Sequence, residues 1–253
     1  MKIITLNIWG GLAGREELLS FFEKHKSDTD IFCLQEVWTA PYTHIEGQVV
    51  GGRNLEHDKL MIDGLDAISG VLTNHNPYFR PHHGDDYGLL MFVKKDLKVE
   101  EEGELFVHKH KGYIPEGDVG LHARNIQFVK TSYEGKPLCV INFHGLWNGM
   151  GKDDSEDRLE QSRKISSFIK DLSGGVILGG DFNLNPNTES MKILEDAGLR
   201  NLVKDYGVTS TRTPLYDKSG KFADYIMTRD VEVKDFQVLP DVVSDHSPLY
   251  VKV

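Results

Sequence analysis

Five short apolar runs in this chain each abut a polar residue of a type that does chemistry. Ile3-Ile4-Thr5-Leu6 meets Asn7, and Ile31-Phe32-Cys33-Leu34-Gln35 meets Glu36. Cys139-Val140-Ile141-Asn142-Phe143 meets His144, and Val176-Ile177-Leu178 passes through Gly179-Gly180 to Asp181. In the fifth, Ser244-Asp245-His246-Ser247-Pro248 stands just before Leu249–Val253. Runs this short and this apolar read as buried strands. Strands in stacked sheets can bring such residues to one rim, where a rigid scaffold presents polar groups.

The wider pattern agrees. Strands are expected at Lys2–Leu6, Ile31–Gln35, Leu89–Lys94, Ile126–Thr131, Leu138–His144, Val176–Gly179, Tyr225–Thr228, Val233–Leu239 and Leu249–Val253. Helices are expected at Glu16–His25, Asp58–Asn74, Ser155–Leu172 and Thr188–Ala197. Ser155 suits an N-cap with Glu156 and Asp157 in the first turn, and Leu159, Ile165, Phe168, Ile169 and Leu172 form an apolar stripe. Thr188 can cap the fourth helix, with Met191 and Leu194 inward. Alternating elements early and strand-rich stretches later suggest an α/β protein with mixed sheets and outer helices. No repeat or Pro/Ser-rich linker interrupts the 253 residues, so a single domain over 1–253 is expected.

Composition narrows the partners. The formal net charge of −10 argues against a general polyanion binder, which needs a basic surface. The acidic stretches Glu100–Glu104 and Asp153–Asp157 read as solvated faces or loops. His108-Lys109-His110-Lys111, Arg80, His82 and His83 read as surface residues or as a greeting for phosphate. No apolar run suits a transmembrane helix, and Met1–Leu6 reads as a strand and not as a signal peptide. Cys33 and Cys139 lie in apolar runs and read as buried free thiols, with a reducing, cytoplasmic setting as the default.

The run Gly179-Gly180-Asp181-Phe182-Asn183-Leu184-Asn185-Pro186 is the densest in chemistry. Its glycines permit a tight turn or a close approach. Oxygen ligands at a buried strand end suit a hard cation such as Mg²⁺, and Mg²⁺ suits phosphate. The same residues are also turn formers.

Thr5-Leu6-Asn7, Leu34-Gln35-Glu36, Asn142-Phe143-His144, Gly180-Asp181-Phe182-Asn183, Ala223-Asp224-Tyr225-Ile226 and Ser244-Asp245-His246 decide between these readings. In that order, over residues 5–246, the chain resembles the endonuclease/exonuclease/phosphatase superfamily with its deoxyribonuclease-I-like fold. The resemblance implies a four-layer α/β/β/α sandwich, with two mixed β-sheets packed face to face and helices outside. It implies Mg²⁺-dependent hydrolysis of phosphoester bonds, with Mn²⁺ as a substitute. Glu36 resembles the principal metal ligand, with Asn7 and Asp245 on the metal side. Asp181 would orient or deprotonate the attacking water, and Asn183 would hold a phosphate oxygen. His246 would act as base or charge stabiliser with its tautomer fixed by Asp224, and His144 as acid or oxygen binder. The sequence leaves open which histidine is which, and whether one or two metals bind.

Other residues near these motifs are candidates for substrate contact. Trp9, Trp38 and Trp147 each follow a site residue closely, and form either an aromatic wall beside the phosphate or packing at the end of the sandwich. Arg124 binds a phosphate or makes a surface salt bridge. The expected substrate is a nucleic acid, nucleotide or small phosphodiester, and the acidic balance disfavours long duplexes. A phosphomonoesterase or sphingomyelinase-like lipid hydrolase is the alternative. A non-catalytic binding module is the reading from another class, and no motif position has been lost to favour it.

Overall fold

The computed structural model describes residues 1–41, 49–50, 53–54 and 59–253. β1 (Lys2–Asn7) and β2 (Ile31–Trp38) lie side by side in parallel, linked by α1 (Arg15–His25). A two-residue pair, β3 (Val49–Val50) and β4 (Arg53–Asn54), precedes α2 (Gly64–Val71). The hairpin β5 (His75–His83) and β6 (Tyr87–Lys94) follows. β7 (Glu101–His108), β8 (Arg124–Tyr133) and β9 (Lys136–His144) form an antiparallel meander. α3 (Glu156–Lys170) returns the chain to β10 (Gly175–Asp181), parallel to β9. α4 (Glu189–Asp196), β11 (Arg200–Asn201), α5 (Leu202–Asp205), β12 (Asp224–Arg229), β13 (Asp235–Val238) and β14 (Leu249–Lys252) complete the order.

Twelve of these strands make two mixed six-stranded sheets, β13-β14-β1-β2-β6-β5 and β11-β12-β10-β9-β8-β7. Each is centred on a parallel pair bridged by a helix. The two sheets pack face to face with helices outside, as expected.

Period-two alternation sorts the residues of the first sheet. Ile3, Ile31, Cys33, Met91 and Val93 join the core shared with the second sheet. Ile4, Leu6, Phe32, Leu34, Leu90 and Phe92 pack outward with Leu18, Phe21 and Phe22 of α1 and Ile68 of α2. On the other flank, Ile165, Ile169, Met191 and Leu194 from α3 and α4 cover the second sheet. Both cysteines are buried free thiols, and burial pushes the Cys139 thiol up to about 12.

One polar layer crosses this apolar interior. Gln35 Nε2 donates to Thr5 Oγ1 at 3.1 Å and, across the sheets, to Asn142 Oδ1 at 2.7 Å. Asn142 Nδ2 donates to the Leu34 carbonyl at 3.0 Å and to Gln127 Oε1 at 3.3 Å. Gln35, Asn142 and Gln127 are fully buried. Buried amides fit only where their partners meet them, so this layer fixes how one sheet lies on the other.

Several elements differ from expectation. The helix expected over Asp58–Asn74 is only Gly64–Val71, and Asp58 lies outside the described residues. Its first residue packs against the Trp38 carbonyl, and Leu72 has already left helical geometry. β5 was not expected, because Pro77 and Pro81 interrupt it. It is the edge strand of its sheet, where proline is tolerated. No strand was expected at Glu101–Glu104, but of the two readings given for this stretch the solvated face holds: it is the edge strand β7, and charged side chains suit such an edge. Within the second acidic stretch, Asp154 accepts hydrogen bonds from the backbone N–H groups of Glu189 and Ser190 at 2.7 and 2.9 Å and caps α4.

Ser155 caps α3 as expected, but the buried face of that helix is Arg158, Gln161, Ser162, Ile165, Ser166 and Ile169. Leu159, Phe168 and Leu172 are only half-buried. Arg158 donates to the carbonyls of Leu146, Gly151 and Asp153, and so ties the loop after β9 to the helix.

Replacing either Gln35 or Asn142 by Leu strands a buried polar partner and should cost about 1–3 kcal/mol. The double Leu variant should cost less than the sum of the singles, because it removes both ends of the contact. Urea denaturation of the three variants measures this, and strictly additive losses would show that the two amides do not act as a pair.

Candidate active site

The second sheet sets its polar residues side by side at one end. In register, Asp181 on β10 lies opposite His144 on β9 and opposite Asp224 on β12. The glycines before Asp181 allow the strands to come this close. A Cβ on Gly180, which has φ of +148°, would stand 1.9 Å from the Phe143 carbonyl oxygen. Gly145 N donates to the Asp181 carbonyl at 2.7 Å, and a Cβ there would meet the Phe182 carbonyl at 2.2 Å. The first sheet contributes Asn7 from the end of β1.

Glu36 reaches the site by a different route from the one expected. β2 does not end at Gln35 but runs on to Trp38, with a break in register between Leu34 and Val37. Glu36 sits in that bulge with φ of +60°. Strict alternation would send Glu36 outward beneath the helices, on the side of Leu34. The bulge turns Glu36 to the site and returns Val37 to the outer cluster.

The side chains interlock. Asn7 Nδ2 donates to Glu36 Oε1 at 2.9 Å and to Asp181 Oδ2 at 3.0 Å, while its Oδ1 accepts from the Trp9 N–H at 2.9 Å. The carboxamide nitrogen, and not the oxygen, thus faces the two carboxylates. Asp181 Oδ1 accepts from the Asn183 N–H at 2.9 Å, holding Asn183 at φ of +51°, a conformation asparagine tolerates. Asn183 Nδ2 donates to the Gly145 carbonyl at 3.3 Å.

His246 Nδ1 lies 2.8 and 2.9 Å from the two oxygens of Asp224, so it carries the proton donated to that carboxylate. Its Nε2 points towards Asp181 Oδ2 and Asp245 Oδ1, each at 3.6 Å. His144 Nε2 lies 3.8 Å from both Glu36 Oε1 and Asp181 Oδ2. Thr211 Oγ1 accepts the N–H groups of Ala223 and Asp224 at 3.1 and 3.3 Å, and so anchors the start of β12. Arg212 pairs with Asp245 at 3.2 Å and stacks on Tyr216.

Protonation follows from these surroundings. Burial and Arg212 push His246 down, but Asp224, Asp245 and Asp181 outweigh them and hold it above its ordinary value. Burial opposes ionisation of Asp181, yet the pull of His246 and the nearby cations keeps its carboxyl well below the usual range. Burial, with Arg124 beside it, drops His144 to about 3, so that imidazole is neutral. Burial raises Glu36, and Asp245 and Asp181 add to the effect. Burial and Arg212 lower the Lys152 ammonium to about 8, against the pull of Asp181, Asp224 and Asp245.

The residues present fit a hard divalent cation. Glu36, Asp181 and Asp245 crowd their charges together, and Asp245 Oδ1 is buried without a hydrogen-bond partner. Oxygen donors of this kind suit Mg²⁺ or Mn²⁺. Glu36, His144 and Asp181 each also place one donor atom within 4.8 Å of the others.

These groups line a cleft of about 240 Å³, together with Trp9, Trp147, Tyr87 and Arg124. A model of the family described as Endonuclease/Exonuclease/phosphatase matches residues 4–246. The chain belongs to the Endonuclease/Exonuclease/phosphatase family. Solved structures of similar fold include a family member from Bacteroides thetaiotaomicron, 18% identical with a TM-score of 0.73, covering 99% of this chain and 96% of that one. The Bacteroides thetaiotaomicron mannosyl-6-phosphatase is 17% identical, with a TM-score of 0.72 and coverage of 100% and 98%. TDP2 of D. rerio, solved with a single-strand DNA product, is 17% identical, with a TM-score of 0.65 and coverage of 99% and 97%. No curated protein matches the chain significantly by sequence.

Within this family member, two of the three tryptophans line the cleft. Trp38 does not; it is 5% exposed and packs on Tyr87 and Leu60. Arg124 is not a surface residue. It is 2% exposed, and among the described residues no carboxylate comes within ion-pair distance. Its Nη1 donates to His122 Nε2 at 2.6 Å, and His122 in turn donates Nδ1–H to the Ala123 carbonyl at 2.7 Å. His82 and His83, expected at the surface, stack instead on His122. The sequence reading missed His122, Tyr87, Lys152 and Arg212 as cleft residues, because no strand end or motif marks them.

The buried histidines make folding sensitive to acid. Burial and the Arg124 charge hold His82 and His122 far below their ordinary value, and burial lowers His108 to about 4. Below the unfolded value of about 6.5, the unfolded chain binds protons that the folded one refuses, so stability falls as pH falls. Each histidine contributes up to about 1.4 kcal/mol per pH unit. The urea midpoint of the metal-free protein should therefore drop between pH 7 and pH 5. A flat midpoint over that range would mean that these imidazoles are protonated in the fold.

Proposed function

We propose that this chain is a Mg²⁺-dependent hydrolase of phosphoester bonds, and that it cleaves phosphodiesters by in-line attack of an activated water. The observation that carries the reading is the convergence of Glu36, His144, Asp181, Asn183, Asp245 and His246 on one cleft, with Asn7 and Asp224 hydrogen-bonded behind them.

Glu36 and Asp245 would hold the cation. Bound there, Mg²⁺, or Mn²⁺ in its place, polarises a phosphoryl oxygen as a Lewis acid. Asn7 serves by spacing Glu36 and Asp181 through its two donated hydrogen bonds. Asp181, kept ionised, accepts a proton of the water and orients its lone pair. Asp224 fixes the Nδ1–H tautomer of His246 and stabilises the imidazolium, a recurring arrangement. Nε2–H of that imidazolium then donates to the oxygens on which charge develops. His144, neutral, offers a ring nitrogen on the opposite side of Asp181. Asn183 and Arg124 are assigned to phosphate oxygens, and Trp9 and Trp147 to the substrate's flanking face.

The acidic protein and the size of the cleft favour a nucleotide, a single strand or a small phosphodiester over long duplex. Among the described residues, no helix is long and apolar enough to cross a membrane. A single domain over 1–253 and a reducing, cytoplasmic setting remain part of the proposal, the latter supported by two buried free thiols.

A screen of bis(p-nitrophenyl) phosphate, p-nitrophenyl phosphate, oligonucleotides and sphingomyelin, with and without Mg²⁺, tests this reading. Diester turnover should exceed monoester and lipid turnover and should require the metal. Glu36→Gln should lower it about 100-fold or more and abolish the rise in melting temperature that Mg²⁺ gives the wild type. Turnover that survives this substitution sinks the mechanism. Monoester or sphingomyelin preference would reassign the substrate, and no turnover at all would favour a binding module.

A further inference from the structure

Arg124 and Lys152 are buried cations that line the same cleft, and among the described residues neither has a carboxylate within ion-pair distance. Each is held on its own side. Arg124 is tethered to the Gly120 carbonyl at 3.2 Å and to His122, next to His144. Lys152 Nζ donates to the Phe222 carbonyl at 2.8 Å, two residues before Asp224. In the sheet order, β8, β9, β10 and β12 separate Arg124 from Asp224 by three strand spacings, roughly 14 Å of backbone. The two positive poles therefore stand on opposite flanks of Asp181.

The Arg124 flank belongs to the phosphoryl group whose oxygens are assigned to Arg124 and Asn183. The Lys152 flank has no such assignment. Lys152 is 7% exposed and has three N–H donors, of which one is used. Around it stand Tyr216, whose ring Arg212 covers at 4.1 Å, and Trp147, with exposed Lys218 at 5.4 Å over its ring. Arg212 is spent on Asp245, and Asp217 also lines this side, so Lys152 and Lys218 are the cations left for a ligand. A desolvated ammonium with spare donors beside aromatic faces suits an anion carried on a ring.

We infer that the cleft recognises a second anionic group, and that its substrates are small ring-bearing phosphoesters with an additional phosphate held by Lys152 beside Trp147 and Tyr216. This rests on the phosphoester reading of the same site. A counter-charge role for Lys152, neutralising Asp181 and Asp224, is the competing account. It would affect singly and doubly phosphorylated ligands alike.

Isothermal titration calorimetry in EDTA separates the two, since it reads binding without turnover. A nucleoside arm compares thymidine 3′,5′-bisphosphate with thymidine 3′-phosphate, and a sugar arm compares glucose 1,6-bisphosphate with glucose 1-phosphate. The wild type should bind the bisphosphate about tenfold or more tightly in the arm whose ring it accepts, the worth of a charge-assisted contact. Lys152→Gln should bring that ratio close to one. Lys218→Gln, an exposed change that the fold will tolerate, should reduce it about two- to threefold. Equal affinities in both arms of the wild type overturn the inference. So does a Lys152→Gln protein that keeps the preference, or one that weakens both ligands equally. Loss of hydrolysis in the metal screen with an intact bisphosphate preference would instead sink the phosphoester reading and leave this subsite standing.

Discussion

The hydrogen bond from Gln35 to Asn142 joins the two sheets in their dry interior, and the site above it depends on that joint. Gln35 stands one residue before Glu36, and Asn142 stands two residues before His144. Fixing those two amides against each other fixes where Glu36 and His144 lie. Apolar packing alone tolerates small slides between sheets, because it is non-directional. A buried amide pair does not, since a shift of about an ångström breaks the geometry. Asn7, itself buried, donates to Glu36 and Asp181 at once and so joins the two sheets beneath the cleft.

Upon that frame the chain concentrates charge that a protein interior resists. Asp181 and Asp224 are each 2% exposed, and Asp245 only 8%. His246, Lys152, Arg212 and Arg124 balance them in part, and a divalent cation beside Glu36 and Asp245 would balance the rest. The neutral imidazoles of His82 and His122 support Arg124 without adding charge. Asp181 is kept ionised against burial by His246 and the nearby cations, whereas burial and the Arg124 charge keep His82 and His122 neutral.

Much of this was legible in the sequence, where it was encoded locally. Asn7, His144, Asp181 and Asp224 lie at strand ends because an apolar run of period two has to stop where water or a ligand begins. The Gly180 conformation was legible for the same reason. The bulge at Glu36 was not, because a φ of +60° at a glutamate leaves no trace in hydrophobic alternation until the partner strand is known. β5 and β7 were missed because prolines and glutamates argue against strands, and only their place at the sheet edges permits them. Nor could Gln35 and Asn142 be paired, 107 residues apart. Trp38 follows Glu36 as closely as Trp9 follows Asn7, yet β2 continues past the bulge and buries its ring.

The central claim is that residues from two separate sheets form one catalytic unit. A double-mutant cycle on metal-dependent kcat/KM with Glu36→Gln from the first sheet and Asp181→Asn from the second tests it most directly. Groups acting in one transition state are strongly non-additive. The double variant should therefore fall little further than the worse single variant. Losses that simply multiply would mean that Glu36 and Asp181 act independently, and would contradict the account.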